Sequence, residues 1–498
     1  MKKRSSGILM HISSLHGSFG IGSMGRESYE FVDFLVSAGQ KYWQILPLGH
    51  TSYGDSPYQC FSAFAGNPHF IDFEILRDEG LLEEEDYNDK NFGDDPERVD
   101  YGLIFELRNG ILKKAYENFK NKNLKGYQEF KYKRFKEENK FWLEDYSSYM
   151  AIKEHFGLVS WQEWDEDIKN REEKALKRYK EELKDEIEYY NFIQFIFFKQ
   201  WNELKEYANY NGVEIIGDIP IYVAEDSADM WSNPKMFKVD ENNTPKFVAG
   251  CPPDAFAVTG QLWGNPIYDW DAMDKDGYKW WILRMRESLK LYDMVRIDHF
   301  RGFESYWQVP YEDETAENGE WVKGPGIKLF SAIKDALGDV NIIAEDLGFM
   351  TDEVIEFRNE TGFPGMKVLQ FGFGGEDSTD LPHNYVNNSV AYTGTHDNDT
   401  VLGWFKNNTS KKEIKKAKEY LSLNEEEGVS FGFIRGIWRS VSFLSIATMQ
   451  DLLGLGSEAR MNIPSTLGGN WEWRIRSGQL TNELAKKIYD LTKLYGRL

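Results

Sequence analysis

The chain of 498 residues contains only two cysteines, Cys60 and Cys251. Two thiols so far apart make neither a C-x-x-C metal spacing nor a disulfide framework, and their scarcity fits a reducing compartment. Long apolar runs are also missing. The best one, "NFIQFIFFKQW", is broken by Gln194 and Lys199 and falls short of the roughly 20 residues that span a bilayer. The basic start "MKKRSSGILMHISS" is not followed by a sustained apolar stretch, so no signal peptide is expected. An excess of cationic charge is absent too. Lys and Arg number 59 against 82 Asp and Glu, a net charge of −23. That balance repels a phosphate backbone and excludes nucleic acid as the expected partner. No internal repeat or low-complexity segment is present. The expectation is a cytoplasmic protein without membrane contact.

What is present is apolar and aromatic. Hydrophobic residues make up 41% and aromatic residues 15%, including 16 Trp, 27 Tyr and 33 Phe. Most such rings build a core, and some suit stacking on the flat faces of sugars. Short apolar runs recur along the chain: "GILMHI", "KYWQILPL", "VEIIGDIPI", "LYDMVRIDHF", "VNIIAEDLG", "GMKVLQFGF", "SVAYTGTHD" and "EARMNIPST". Several are continuously apolar, as strands buried on both faces are. Helical patterns such as "WWILRMRESLKL" and "GIKLFSAIKDALG" lie between them. Strand–helix alternation predicts a parallel sheet, and eight strands suit a closed (β/α)8 TIM barrel; an open doubly wound sheet is the alternative. The interval 53–212 is too long for one crossover helix and reads as an inserted, mostly helical subdomain of a single catalytic barrel spanning 1–498. Its charged run from Glu163 to Glu188 reads as a solvated helix face. The stretch 231–270, rich in Gly, Pro, Asn and Trp, reads as a long loop covering an active site.

Two motifs invite cofactors and fail. "FGIGSMG" places Gly20, Gly22 and Gly25 as G-x-G-x-x-G between a strand and a helix. A dinucleotide site also needs an acid at the end of the second strand, and none occurs after "YWQILPL" until Asp55. The glycines are expected to turn a loop tightly. "DWDAMDKDGYKWW" hints at a calcium loop, but Ala272 takes the first ligand position and Leu283 the place of the bidentate Glu. Neither cofactor nor metal is expected.

Acids follow three of the predicted strands: Asp298, Glu345 and Asp397. Any one of them reads most simply as a helix cap. In a (β/α)8 barrel, however, the C-terminal strand ends converge on one face, where three acids have a common use. Glycosidic cleavage needs a carboxylic acid to protonate the leaving oxygen and a carboxylate to attack the anomeric carbon or activate water. Arg296 lies two residues before Asp298, so the pleat puts both on one side of the strand, and its cation should keep Asp298 ionised. His299 and His396 flank two of the acids and offer hydrogen bonds to sugar hydroxyls.

The segments "VRIDHFRGF", "IIAEDLG" and "YTGTHDNDT" resemble the catalytic segments of the 4-alpha-glucanotransferases, also called amylomaltases or disproportionating enzymes, relatives of the alpha-amylases. "DSPYQCFSAFAGNP", "IGDIPIYVAEDSADMW", "VAGCPPDAFAVTGQLWGNPIYDW", "FPGMKVLQFGF" and "MNIPSTLGGNWEWR" agree, so the resemblance runs almost end to end. It implies a barrel with helical insertions and no C-terminal β-sandwich. It also implies retaining transfer of alpha-1,4-glucan segments to the 4-hydroxyl of glucose or of another glucan, such as a malto-oligosaccharide, starch or glycogen. By motif position, Asp298 would be the nucleophile, Glu345 the general acid/base and Asp397 the third acid, with Arg296, His299 and His396 in support. Tyr58 would stack on a sugar, Asp218 would hold the site's shape, and Asp254 and Trp263 would help cover the bound chain. Tyr53 and Tyr101 stand where relatives can stack a second, remote glucan. The chain departs from the usual pattern in "SLHGSFGIGSMG", where many relatives carry Pro and Asp, and at Ser465, where Gly is usual. Two further readings use the same residues: an alpha-1,4-glucan hydrolase with water as acceptor, and a non-catalytic glycan-binding protein on a degenerate barrel.

Overall fold

A computed structural model of the protein describes residues 3–52, 54–122, 127–253, 257–348, 350–375 and 377–498. Twelve strands occur among the described residues. In chain order they are β1 (Ser5–Leu9), β2 (Tyr42–Gln44), β3 (Glu214–Pro220), β4 (Phe247–Cys251), β5 (Gln261–Pro266), β6 (Met294–Asp298), β7 (Ser305–Pro310), β8 (Glu320–Lys323), β9 (Ile342–Ala344), β10 (Gly365–Val368), β11 (Ser389–Tyr392) and β12 (Leu444–Thr448). Eight of them close into a parallel barrel in the order β1-β12-β11-β10-β9-β6-β3-β2. The continuous apolar runs are buried on both faces: Val295, Ile297, Ile342, Ile343, Val390 and Ala391 are all inaccessible to solvent or nearly so, as strands covered by an outer ring of helices must be.

The eighth barrel strand is not the "EARMNIPST" run expected from the sequence. Of that run only Glu458 and Ala459 fall in a regular element, the 3-10 turn Ser457–Ala459. The strand is β12, which pairs with β1 and β11. Its serine disguised it. Ser445 is buried and donates its hydroxyl to the Ile437 carbonyl at 2.9 Å, so a polar residue is accommodated in a sealed strand.

Between β2 and β3 the described regular elements are all helices, short and widely spaced over 45–100 and mostly long over 101–210. Helix Lys184–Tyr210 is their backbone. Apolar residues recur at helical spacing along it, and Phe192, Ile193, Ile196, Phe197, Trp201 and Leu204 are buried. Gln194 and Gln200 are buried on the same helix and clamp the peptide groups of Gly66 and Asp72, respectively. These bonds tie the segment 66–72 to the helix beneath it.

The stretch 231–270 is not the featureless loop its composition suggests. It carries β4 and β5, which form an antiparallel sheet in the order β5-β4-β7-β8. β4 and β5 pair with each other, but the other two strands, β7 and β8, come from after β6, so nothing local discloses the whole sheet. The described chain closes on helix Asn482–Leu494, which packs on helix Arg26–Ser37. Among the described residues no helix is long and apolar enough to cross a membrane.

The glycine motif is structural. Gly20 has φ +75°, and Gly22 lies so close to the Ile12 carbonyl that a side chain would overlap it. Gly25 caps helix Arg26–Ser37, and the Asp72 carboxylate sits directly against it, held by the Ser23 hydroxyl at 2.7 Å. A carboxylate already stands where a pyrophosphate would bind. The calcium-like stretch is also ordinary: Trp270–Lys275 is a helix capped by Asp269.

Candidate active site

Asp298 is the last residue of the fourth barrel strand, β6. Arg296 lies two residues earlier on the same side and is directly opposite Asp218 of β3 in register. Its guanidinium bridges the two acids: Nη1 donates to Asp218 Oδ2 at 2.6 Å and Nη2 to Asp298 Oδ1 at 3.0 Å. The Tyr58 hydroxyl donates to the same Asp218 oxygen at 2.9 Å. Arg296 is therefore shared, and it does not hold Asp298 low as the sequence suggested. Desolvation in the cleft raises the Asp298 carboxyl to about 6, with Asp218 and Asp397 adding to the rise and Arg296 opposing it.

Glu345 follows the fifth strand, β9, and is fixed by backbone alone. The His299 N–H donates to Oε2 at 2.7 Å and the Leu347 N–H to Oε1 at 2.9 Å. His299 can aim its amide this way because it leaves β6 in the left-handed region, at φ 54° and ψ 46°. That conformation is strained for a non-glycine residue and is found at sites where geometry matters. Burial, with the Asp298 charge adding, pushes Glu345 up to about 7, against Arg296 and the two amides. Two acids with different environments thus stand ready for different roles.

Asp397 lies beyond the seventh strand, β11, and its charge is set the opposite way. Desolvation would raise its carboxyl, but His396 at 3.4 Å, the Asn462 amide at 2.7 Å and Arg296 outweigh it and hold Asp397 well below the usual carboxylate range. The same pairing raises His396, although burial works against its charged form. His396 stacks on Tyr58 with ring centroids 5.0 Å apart, and both rings tilt against Trp471. Trp263 on β5 meets the edge of the His299 ring at 4.7 Å. Burial, with Arg301 adding, pushes His299 down to about 3, which favours the neutral imidazole.

Asp218, Arg296, Asp298, His299, Glu345, His396, Asp397, Tyr58 and Trp263 therefore lie in one connected group. Tyr101 stands one step behind it. Its hydroxyl donates to the Trp471 carbonyl at 2.9 Å, so it backs the aromatic cluster. Tyr53 and Asp254 lie outside the described residues.

Sequence reasoning missed Arg460, Asn462 and Trp471. Arg460 donates to the carbonyls of Asp397 and Asn462, both at 2.7 Å, and Asn462 holds the Asp397 side chain. The signal is faint: two polar residues flanking Met461 in a run that reads as a strand.

The profile of the 4-alpha-glucanotransferase family matches residues 10–481. A 4-alpha-glucanotransferase of Clostridium butyricum is 58% identical over 490 residues, covering 98% of this chain and all of the relative. One from Streptococcus pneumoniae serotype 4 is 58% identical over 501 residues, covering all of this chain and 98% of the relative. The solved amylomaltase of Streptococcus agalactiae in complex with acarbose superimposes with a TM-score of 0.96 at 47% identity, covering 99% of this chain and all of that one. Barrel, strand-end acids and full-length likeness agree, and the chain belongs to the 4-alpha-glucanotransferase family.

Proposed function

We propose that Asp298, Glu345 and Asp397 carry the family's chemistry, the transfer of alpha-1,4-glucan segments, by double displacement. Asp298 is the nucleophile. The oxygen not held by Arg296 attacks the anomeric carbon, the C1–O bond breaks with its electron pair leaving on oxygen, and Glu345 supplies the proton. The intermediate is a glycosyl ester of Asp298. The 4-hydroxyl of the acceptor sugar then attacks C1, Glu345 takes its proton, and the ester bond breaks to return the Asp298 carboxylate. Two inversions leave an alpha link.

One observation carries this reading. The two reacting acids have raised affinities for protons while the third is held ionised, so near neutrality Asp298 is charged, Glu345 is partly protonated and Asp397 faces the oxocarbenium with a fixed negative charge. Tyr58 and Trp263 supply apolar surface beside the reacting centre, which favours a bound sugar over water as acceptor. The reading extends to a covering role for 231–270 with Asp254, to a second glucan near Tyr53 and Tyr101, and to a cytoplasmic setting, which two free thiols suit.

Incubation with maltotriose tests the assignment. The wild type should give glucose together with chains longer than the substrate. Asp298→Ala should give neither, and retained transfer by that variant would refute the role of nucleophile. Glucose and maltose without longer chains would instead support the hydrolase.

A further inference from the structure

The antiparallel sheet beside the cleft presents an aromatic row that no step of the reaction uses. Trp321 of β8 is directly opposite Trp307 of β7, Trp307 is opposite Gly250 of β4, and Gly250 is opposite Leu262 of β5. Directly opposed residues share a face of a sheet. Trp321 and Leu262 are each 38% exposed, large for apolar side chains. The two indoles meet edge to face at 5.3 Å. Trp307 is fixed by its Nε1 hydrogen bond to the Ala316 carbonyl at 2.9 Å. One face of Trp321 is backed by the Arg301 guanidinium, 4.0 Å from the ring centre. Gly250 leaves the middle of the row without a side chain.

From this arrangement we infer a docking platform for a long alpha-glucan chain, outside the reacting subsites, with Trp321 as its main stacking surface. The inference rests on the transferase reading, since it supposes a polymeric substrate. Three observations select this occupant. The platform lies beside the catalytic segment: Leu262 precedes Trp263, which packs on His299 from the opposite face of β5, and Arg301, which backs Trp321, follows Asp298 by three residues. A long chain that passes over the edge strand β5 on leaving the site meets this face. The surroundings are acidic, with Glu312, Asp313, Glu314, Glu317 and Glu320 on or beside β7 and β8, which disfavours anionic polymers and leaves neutral ones unopposed. The rings are held rigidly, so stacking costs little side-chain entropy, and a preformed flat aromatic surface is how neutral sugar faces are held.

The test compares a polymer with a short substrate. Native electrophoresis through gels containing amylose reads polymer affinity directly, and maltotriose disproportionation reads the catalytic centre. Trp321→Ala should weaken amylose retardation by about ten-fold in apparent affinity and raise KM for amylose, with maltotriose kinetics unchanged within two-fold. Trp321→Phe should restore most of the retardation. Asp298→Ala should be inactive yet retarded like the wild type, which separates the platform from the assignment of the nucleophile. Unchanged retardation of Trp321→Ala overturns the inference. An equal loss on amylose and maltotriose overturns it as well, because the tryptophan would then be supporting the cleft.

Discussion

The two walls of the cleft hold acids at similar depth and give them opposite character. On the wall built from β3, β6 and β9, a single guanidinium serves two carboxylates, and Asp298 and Glu345 are both pushed up. On the wall beyond β11, one carboxylate has a histidine, an asparagine and a share of Arg296 to itself, and Asp397 is pushed down. Desolvation is the strongest single influence on all three. The charge of the neighbours separates them, not depth: Asp298 faces Asp218 and Asp397, Glu345 faces Asp298, and Asp397 faces His396.

That contrast can be broken most severely at its centre. Asp298→Asn should lower kcat for maltotriose disproportionation by at least about 10^4-fold, as loss of a nucleophile does. Arg296→Met should come next. It leaves two carboxylates without their cation, so kcat should fall by about 10^2- to 10^3-fold, and unfolding should be easier by about 3 kcal/mol in a denaturant titration, the scale expected when a buried ion pair loses a partner. A variant as stable and active as wild type would mean that Asp218 and Asp298 do not depend on the shared cation.

The pH dependence sharpens the comparison. The proposed mechanism requires Asp298 ionised and Glu345 protonated, so kcat/KM should rise through about 6 and fall through about 7, two apparent values that belong to the coupled pair. A flat profile from pH 5 to 8 would contradict the raised pair. On the other wall the linkage concerns stability. Asp397 is depressed, so its contribution is present above the ordinary aspartate range of about 4 and is lost as pH falls through its folded value. His396 is raised, so its contribution is present below the ordinary histidine range of about 6.5 and is lost as pH rises through its folded value. The Tm difference between wild type and His396→Asn should therefore be largest between about pH 4 and 6.5 and shrink on either side.

The smallest expected effect lies in the loop after Asn462. Ser465 has φ 64°, in the left-handed region that favours glycine. Ser465→Gly should relieve the left-handed penalty of about 1 kcal/mol and give back part of it as backbone entropy, for a net gain of about 0.5 kcal/mol or less in a thermal melt.

The barrel and its acids were legible because strands sealed on both faces write continuous apolar runs, and the residue after each run marks the barrel mouth. Asp298, Glu345 and Asp397 are all read this way. The remainder is held by partners remote in sequence. β4 and β5 pair with each other but complete their sheet with β7 and β8 from beyond β6, and the buried Ser445 of β12 is satisfied by the Ile437 carbonyl that accepts its hydroxyl. Asn462 matters through an acid on another loop. The pleat put Arg296 beside Asp298, but not the second carboxylate across the strand that divides its charge.

The two peptide N–H groups gripping Glu345 have a consequence for the order of events. A carboxyl pinned at both oxygens by main chain cannot swing between donor and acceptor positions. In the proposed acid/base role, the oxygen it protonates and the hydroxyl it later deprotonates must occupy the same point in space. The departing sugar has to vacate its place before the incoming one arrives, so exchange proceeds by turns, with the glycosylated enzyme waiting between two visitors.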